Sequence, residues 1–195
     1  DLLTSRGLGD VYKRQDKYRP LYHYFRQNFS QVTNPPIDSL RENKVMSLKT
    51  RFGNLGNILD FSKLTKDNIY VLNSPILSNA QFEKFLKFFG NNNKVLDCTF
   101  SKDDDLETSI NLLKVKSEQA VREGIKQIIL SDKNISENRM PMPMLLCIGA
   151  INTHLVKLGL RGYVSINVQT GDALDTHSFA TLIGVGATTA VSYTH

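Results

Sequence analysis

Apolar residues in the second half of the chain alternate between two kinds of segment. Short apolar runs start near residues 69, 94, 127 and 163 and are rich in Val, Ile and Leu. Each run precedes a longer segment in which apolar residues recur every three or four positions. The short runs predict buried β-strands over 69–75, 94–100, 127–132 and 163–171, and the longer segments predict amphipathic α-helices.

The predicted helices carry start and stop signals. Ser78 and Gln81 have capping-box spacing ahead of the first helix, and Gly90 follows its last apolar residue. Asp105 precedes the second helix, and Gly124 follows it. Prolines open the third helix, and the segment "SFATLIGVGATTAV" predicts the start of a fourth.

Four successive β-then-α units predict an α/β fold with a parallel sheet and covering helices. Four units make half of a (β/α)8 barrel, and they also suit an open, doubly wound sheet. The sequence pattern leaves both architectures open because it does not determine the order of the strands in the sheet.

The first third of the chain has a different pattern. Leu21, Tyr22, Phe25 and Phe29 lie at helical spacing within residues 18–30, which predicts an amphipathic helix with its aromatic side chains inward.

The stretch "QVTNPPIDSLRE" follows this helix at residues 31–42. A residue before proline is driven into extended conformations, and proline fixes its own φ. Pro35 and Pro36 therefore predict a rigid extended corner. Either Asp38 or Ser39, the latter at capping-box spacing from Glu42, can cap a short helix over residues 40–48.

Composition excludes several classes of function. The 195 residues suit one domain or slightly more, with 41% hydrophobic and 22% charged residues. The net charge is +5, but the basic residues are scattered, which favours a solvated surface over a nucleic-acid groove. No apolar run approaches the length of about 18 residues that a membrane span needs, and no signal peptide is recognised. Cys98 and Cys147 are predicted to be buried free thiols of a reducing compartment, and the four histidines show no metal-ligand spacing.

Reactive side chains follow the fourth predicted strand, within residues 170–177. Asp172, Asp175 and His177 near a glycine turn could perform acid–base chemistry. No nucleophile accompanies them at a recognisable spacing, and aspartates are common helix caps, so capping is the favoured interpretation. No catalytic residue and no metal site are assigned. The alternative function is a free-standing α/β enzyme, or a phosphate- or cofactor-binding domain, that uses the 170–177 loop.

Both ends of the chain lack the pattern of the rest. Residues 1–15 have no clear period, and the end of the chain is equally abrupt. Both resemble translated adapter sequence, so residues 1–15 and 192–195 are predicted to be non-native, and one domain fragment is predicted over residues 16–191.

Two segments carry a family resemblance. Residues 19–48, "RPLYHYFRQNFSQVTNPPIDSLRENKVMSL", resemble the central domain of the glutamate synthase large subunit. "TGDALDTHSFATLIGVGATTAV" at residues 170–191 is similar to the closing segment of that domain. The resemblance implies an incomplete (β/α)8-barrel-like fold, preceded here by the aromatic helix and the Pro-Pro corner.

The resemblance also implies a function. Glutamate synthases convert glutamine, 2-oxoglutarate and a reductant, which is NADPH, NADH or ferredoxin, to two glutamates. The central domain links the amidotransferase and FMN domains of the same chain and helps to wall the ammonia tunnel, with no active site of its own. The fragment alone is therefore expected to be inactive. FMN and an iron–sulfur cluster are expected in the full-length parent and no cofactor in this fragment, and a small NADPH-oxidising subunit is an optional partner. Nucleic acid and membrane are not expected partners, and the location is cytoplasmic in bacteria or plastid.

The same resemblance gives the proline corner a role. Thr33 and Asn34 of the corner would lie at the entrance of the ammonia tunnel, where neutral groups can guide NH3 without ionising it. Pro35 and Pro36 would hold that backbone still.

Overall fold

The computed structural model describes residues 20–26, 40–42, 46–53 and 69–193. The predicted corner residues Pro35, Pro36 and Asp38 lie outside the described residues.

Nine β-strands and four complete α-helices lie within the described residues. The strands are Thr50–Phe52 (β1), Tyr70–Leu72 (β2), Ile76–Leu77 (β3), Asn93–Asp97 (β4), Thr99–Ser101 (β5), Gln127–Ser131 (β6), Arg139–Pro141 (β7), Ser165–Thr170 (β8) and Thr189–Ser192 (β9). The helices, numbered α1 to α4, are Asn79–Phe89, Leu106–Arg122, Met144–Lys157 and Thr176–Val185, and short 3₁₀ helices cover Leu21–Phe25, Gly90–Asn92 and Arg161–Tyr163.

A five-stranded parallel sheet in the order β3-β9-β8-β6-β4 is the centre of the fold. Strands β4, β6, β8 and β9 lie side by side in chain order, as successive strands do in a βα barrel. Strand β3 joins the far edge, beside β9. The α/β fold class and the incomplete barrel-like architecture are thus confirmed.

The helices divide between the two faces of this sheet. Helices α2, α3 and α4 pack on one face, where Leu113 and Ile148 share a core with Val168. Helix α1 packs on the other face, where Phe85 clusters with Ile129 and Val191. The connection from β3 through α1 to β4 crosses the sheet from the β3 edge to the β4 edge. The three later connections, from β4 to β6, β8 and β9 in turn, run in the opposite direction. Because parallel crossovers are right-handed, α1 must cover the opposite face.

Two antiparallel pairs extend the fold beyond the main sheet. Strands β1 and β2 pair with each other, and the ring of Phe52 in β1 meets the ring of Phe85 in α1 edge-on, with 5.0 Å between centroids. Strands β5 and β7 form the second pair, at the carboxyl end of β4.

The local helix signals are confirmed. The backbone N–H of Gln81 donates to Ser78 Oγ at 3.3 Å, and the N–H of Ser78 donates to Gln81 Oε1 at 2.9 Å. Asp105 caps α2 by accepting from the N–H of Thr108 at 3.0 Å. Gly124 follows this helix with φ +89°, a conformation that favours glycine.

Several strand and helix boundaries differ from the predicted ones. The first predicted strand is two elements, because Tyr70–Leu72 pairs with β1 and only Ile76–Leu77 joins the parallel sheet. The second is interrupted at Cys98, whose N–H donates to the Ser131 carbonyl while its own carbonyl accepts from Met142, so the chain changes partners there.

The fourth helix ends earlier than "SFATLIGVGATTAV" suggested. Helix α4 stops at Val185, and Gly186 follows with φ +133°. Residues 189–192 then form β9, a fifth parallel strand that the sequence reading missed.

The N-terminal helix prediction over 18–30 is wrong for the residues described. Residues Leu21–Phe25 form a single 3₁₀ helix, and Arg26 is already extended. Tyr22 is buried, but Leu21 and Phe25 are 37% and 54% exposed. The helix predicted over 40–48 is also shorter, because residues 40–42 are helical and residues 46–49 are not.

Candidate functional site

The carboxyl edge of the parallel sheet is the expected position of a site, because βα folds bind their ligands there. Asp132 follows β6 directly and is 2% exposed. Its carboxylate accepts hydrogen bonds from the hydroxyl of Thr170 at 2.5 Å and from the N–H of Gly171 at 3.3 Å. The hydroxyl of Tyr193 also donates to it. Three donors therefore satisfy this buried carboxylate from within the chain.

Tyr193 is held in its neutral, donating form. Burial and the hydrogen bond to Asp132 raise the pKa of Tyr193 well above its usual range. The phenol thus remains protonated, and it donates to Asp132 throughout the physiological pH range. The sequence pattern places Asp132 at the end of the third predicted strand but does not link it to Tyr193, because only the fold brings the two residues together.

Asp172 lies at the same edge, and its environment resists ionisation. Burial raises the pKa of Asp172, and the nearby charge of Asp132 acts in the same direction, while the Tyr22 side chain opposes the rise. The backbone N–H of Asp172 donates to Thr170 Oγ1 at 3.1 Å. Asp172 was expected to share helix capping with Asp175, and this part of the prediction is wrong, because α4 starts later.

Asp175 is the cap of α4, as predicted. Its Oδ1 accepts from the N–H of Ser178 at 2.8 Å and from the Ser178 hydroxyl at 2.5 Å, and these bonds lower the pKa of Asp175. Oδ2 of the same carboxylate lies 3.5 Å from Nη2 of Arg26, in the N-terminal segment.

His177 also contacts the N-terminal segment. Its Nε2 lies 2.9 Å from the backbone carbonyl oxygen of Tyr22. The Tyr22 side chain is 2% exposed and belongs to the core that α2, α3 and α4 share with the sheet. The loop considered for acid–base chemistry therefore holds residues 20–26 in place, and its polar groups face the protein's own backbone and side chains.

A second polar group lies at the end of β4. Asp97 accepts from Asn134 at 3.1 Å, from the Thr99 hydroxyl at 2.8 Å and from Arg139 at 3.0 Å. Burial alone would raise the pKa of Asp97, but the hydrogen bonds from Asn134 and Thr99 and the charge of Arg139 outweigh it and lower the pKa. Arg139 also donates to Thr99, so this cluster attaches β7 to the edge of the main sheet.

A row of buried polar side chains crosses the sheet face that α1 partly covers. Asn167 is fully buried, donates to Gln127 Oε1 at 3.0 Å and accepts from the Thr189 hydroxyl at 2.7 Å. The sequence contained a signal for it, since "SINVQT" alternates apolar and polar residues within a strand that has buried residues on both faces.

At the amino edge of the sheet, Arg161 forms hydrogen bonds that connect three parts of the chain. Its guanidinium donates to Asn152 Oδ1 at 2.8 Å, to the Val164 carbonyl at 2.5 Å and to the Gly186 carbonyl at 2.9 Å. Burial lowers the pKa of Arg161. These bonds join α3, the segment before β8 and the turn after α4.

The described part of the chain shows no group of three or more His, Cys, Asp or Glu side chains placed to hold a metal ion. Cys98 and Cys147 are both fully buried in the core, and two enclosed thiols do not fit the ligand set of an iron–sulfur cluster. Among the described helices, none has the length and apolar character needed to cross a bilayer. Thr33 and Asn34 lie outside the described residues, so their predicted role at a tunnel stays a prediction.

The fold and its carboxyl edge define a class of domain. This is a parallel βα sheet whose carboxyl edge holds the buried Tyr22 and carboxylates that are hydrogen-bonded within the chain. Residues 14–195 match the family described as the glutamate synthase central domain, and the chain belongs to that family.

Curated proteins are similar over most of the chain. The identity is 49% over 181 residues with the glutamate synthase (NADPH) large chain of Azospirillum brasilense, which covers 91% of this chain and 12% of the relative. It is 41% over 174 residues with the corresponding protein of Bacillus subtilis, covering 88% and 11%. With the chloroplastic ferredoxin-dependent glutamate synthase of Spinacia oleracea it is 38% over 185 residues, covering 89% and 11%. The chain thus spans about a tenth of the length of these relatives.

Proposed function

We propose that this chain is the central-domain segment of a glutamate synthase large chain, where it serves as a scaffold between an amidotransferase domain and an FMN domain. The parent would convert glutamine, 2-oxoglutarate and a reductant to two glutamates. Ammonia released in the first domain would pass along a tunnel that this segment helps to wall.

The state of the carboxyl edge is the observation that carries the scaffold role. Asp132 is enclosed and fully engaged, Asp175 is a helix cap, and His177 binds the backbone of Tyr22. These contacts engage all three groups within the chain, and the alternative of a free-standing enzyme that uses the 170–177 loop has no observation in its favour. A domain whose carboxyl edge is engaged in this way would have a structural role, and the chemistry would take place in other domains of the parent.

Thr33 and Asn34 are the residues proposed for the tunnel entrance. A hydroxyl and a neutral amide can exchange hydrogen bonds with NH3, whereas a carboxylate would favour its protonation to NH4+. The two prolines that follow restrict the backbone, so these side chains would be held with little loss of entropy on ammonia binding.

FMN and the iron–sulfur cluster would belong to the following domain of the parent. The two buried cysteines of this chain do not fit cluster ligation, and no step of the chemistry is assigned to its residues. Relatives bear names that specify NADPH, ferredoxin or NADH, and we expect the reductant of the parent to be one of these. A small NADPH-oxidising subunit would be a partner only in the first case. The expected location is the cytoplasm of a bacterium or a plastid.

The coding sequence that flanks this segment provides the test. We expect an amidotransferase domain before residue 16 and an FMN domain after residue 191. The complete chain should form glutamate from glutamine and 2-oxoglutarate with one of the three reductants. Flanks that encode neither domain, or a complete chain without this activity under any of the three reductants, would contradict the proposal.

A further inference from the structure

The 3₁₀ segment Leu21–Phe25, with Arg26, is attached to the carboxyl edge at three points. Tyr22 is buried in the core, its carbonyl faces His177 Nε2 at 2.9 Å, and Arg26 pairs with Asp175 at 3.5 Å. These contacts fix the position of the segment on the start of α4. Its outward side chains are therefore held in a defined place.

Four apolar side chains on or beside this segment are exposed. Tyr24 is 71% exposed, Phe25 54% and Leu21 37%. Leu174, which immediately precedes the Asp175 that pairs with Arg26, is 85% exposed. We call Leu21, Tyr24, Phe25 and Leu174 the aromatic face.

The geometry of the 3₁₀ helix makes Phe25 informative. With three residues per turn, Phe25 lies on the same side of the helix as Tyr22, one turn further on. Tyr22 is covered by the core, yet more than half of Phe25 is open to solvent. Among the described residues, the core covers the Tyr22 side chain but leaves most of the Phe25 side chain exposed. Burial of Phe25 would require an additional element.

We propose that the aromatic face binds the part of the parent chain that precedes this domain. This inference rests on the proposed function. The relatives extend far beyond the matched segment, which is 12% of the Azospirillum brasilense protein, and the family match begins at residue 14, a few positions before the segment. The preceding domain would therefore be connected to the chain beside this face, where a short connection gives a high effective concentration.

The chemistry of the face suits an interdomain contact. Aromatic residues are enriched at the centres of interfaces, and clustered exposed apolar side chains mark interaction sites more often than ordinary surface. The partner surface is expected to be an apolar depression that accepts the Phe25 and Tyr24 rings. The ion pair of Arg26 and Asp175 would lie at the polar rim.

Photo-crosslinking in the complete chain tests this contact. Phe25→p-benzoylphenylalanine and, separately, Tyr24→p-benzoylphenylalanine place a photoreactive ring on the face. Leu112→p-benzoylphenylalanine is the matched control, because Leu112 is 53% exposed and lies on α2, on a different element. Peptides joined on irradiation are identified by mass spectrometry, and glutamine-dependent glutamate formation is measured on the same samples.

The expected result is that both face positions crosslink within one chain to peptides that precede residue 14, and that Leu112 does not. Crosslinks to the following domain, crosslinks between two copies of the chain, no crosslinks at either face position, or equal crosslinking from Leu112 would each overturn the inference. If one of these crosslinking results were found in a chain that still forms glutamate, the inference would fail and the proposed function would stand. An inactive chain whose sequence lacks the amidotransferase domain would refute the proposed function itself.

Discussion

His177 Nε2 lies 2.9 Å from the carbonyl oxygen of Tyr22, a residue 155 positions earlier in the chain. A carbonyl oxygen can only accept, so Nε2 of His177 carries the proton and donates it. In an α-helix, the Tyr22 carbonyl would instead accept a hydrogen bond from the backbone N–H of Arg26. The N–H of Arg26 bonds instead to His23, at 3.4 Å, and the segment is a 3₁₀ helix.

Replacing His177 should loosen this segment. In His177→Phe the Tyr22 carbonyl loses its donor, which should cost about 1–3 kcal/mol locally and expose Arg26 to proteases. We expect trypsin to cut after Arg26 several times faster than in the unmodified protein. His23→Phe is the control, since His23 is exposed on the same turn and should leave the cleavage rate unchanged. Equal rates in all three proteins would refute the role of His177.

Asp172 should make stability depend on pH. Burial raises the pKa of Asp172 above its ordinary value of 3.8, so ionised Asp172 destabilises the folded state. This destabilisation is fully present above the folded-state pKa and is relieved as the pH falls towards 3.8, where the unfolded state also becomes protonated.

Asp172→Asn should therefore be more stable than the unmodified protein at neutral pH, and the difference should shrink as the pH falls through the folded-state pKa and towards 3.8. Urea unfolding at a series of pH values measures this difference. Asp103→Asn, at an exposed position, is the control and should show no such trend. A difference that grows on acidification would contradict the assigned direction of the shift.

Arg161 should be essential for stability through its geometry as well as its charge. Arg161→Met removes donors from the carbonyls of Val164 and Gly186, and we expect a loss of about 2–4 kcal/mol in the free energy of unfolding. Arg161→Lys should recover only part of this, because an ammonium group cannot reproduce the fork of a guanidinium.

The control for Arg161 is Arg122→Met, which breaks an exposed ion pair with Glu118 and should change stability by less than about 1 kcal/mol. Chemical denaturation distinguishes the variants. If Arg161→Met were no worse than Arg122→Met, the Arg161 hydrogen bonds at the amino edge would be unimportant.

The buried polar row should be sensitive to a change that preserves shape. Thr189→Val keeps the volume but leaves Asn167 Oδ1 without its donor, and the expected loss is about 1–3 kcal/mol. Thr108→Val provides the comparison, because the Thr108 hydroxyl bonds Asp105 at an exposed position and should matter much less. Similar unfolding curves for both variants would show that the row is energetically neutral.

The proposed tunnel entrance can be tested in the complete enzyme with Asn34→Leu. The change retains the approximate volume and the following prolines but removes the amide, so ammonia should escape before it reaches the second active site. The ammonia released per glutamine consumed should rise while the protein remains folded.

Asn111→Leu, at an exposed position on α2, is the control for Asn34→Leu and should keep the two half-reactions in step. If Asn34→Leu lowers both activities together and releases no ammonia, the corner is structural and Asn34 does not guide ammonia.

The start and end signals of α1 and α2 and the parallel type of the main sheet were determined by the sequence alone. The Ser78–Gln81 capping box, the Asp105 cap and the glycine after α2 depend on residues a few positions apart, so a local pattern contains all the information needed. The apolar runs likewise predicted the parallel sheet, because buried parallel strands need apolar side chains on both faces.

Only the tertiary structure decided the strand order, the interruption at Cys98 and the state of the carboxyl edge. The interruption depends on bonds from Cys98 to Ser131 and Met142, dozens of positions away, and the burial of Asp132 depends on Thr170 and Tyr193. The helical spacing of residues 18–30 was a real pattern. An α-helix does not form over Leu21–Phe25, because Tyr22 is buried in the core and its carbonyl accepts a hydrogen bond from His177. Contacts between residues so far apart in the chain form only when the whole sheet assembles, and a periodic pattern in one segment does not encode them.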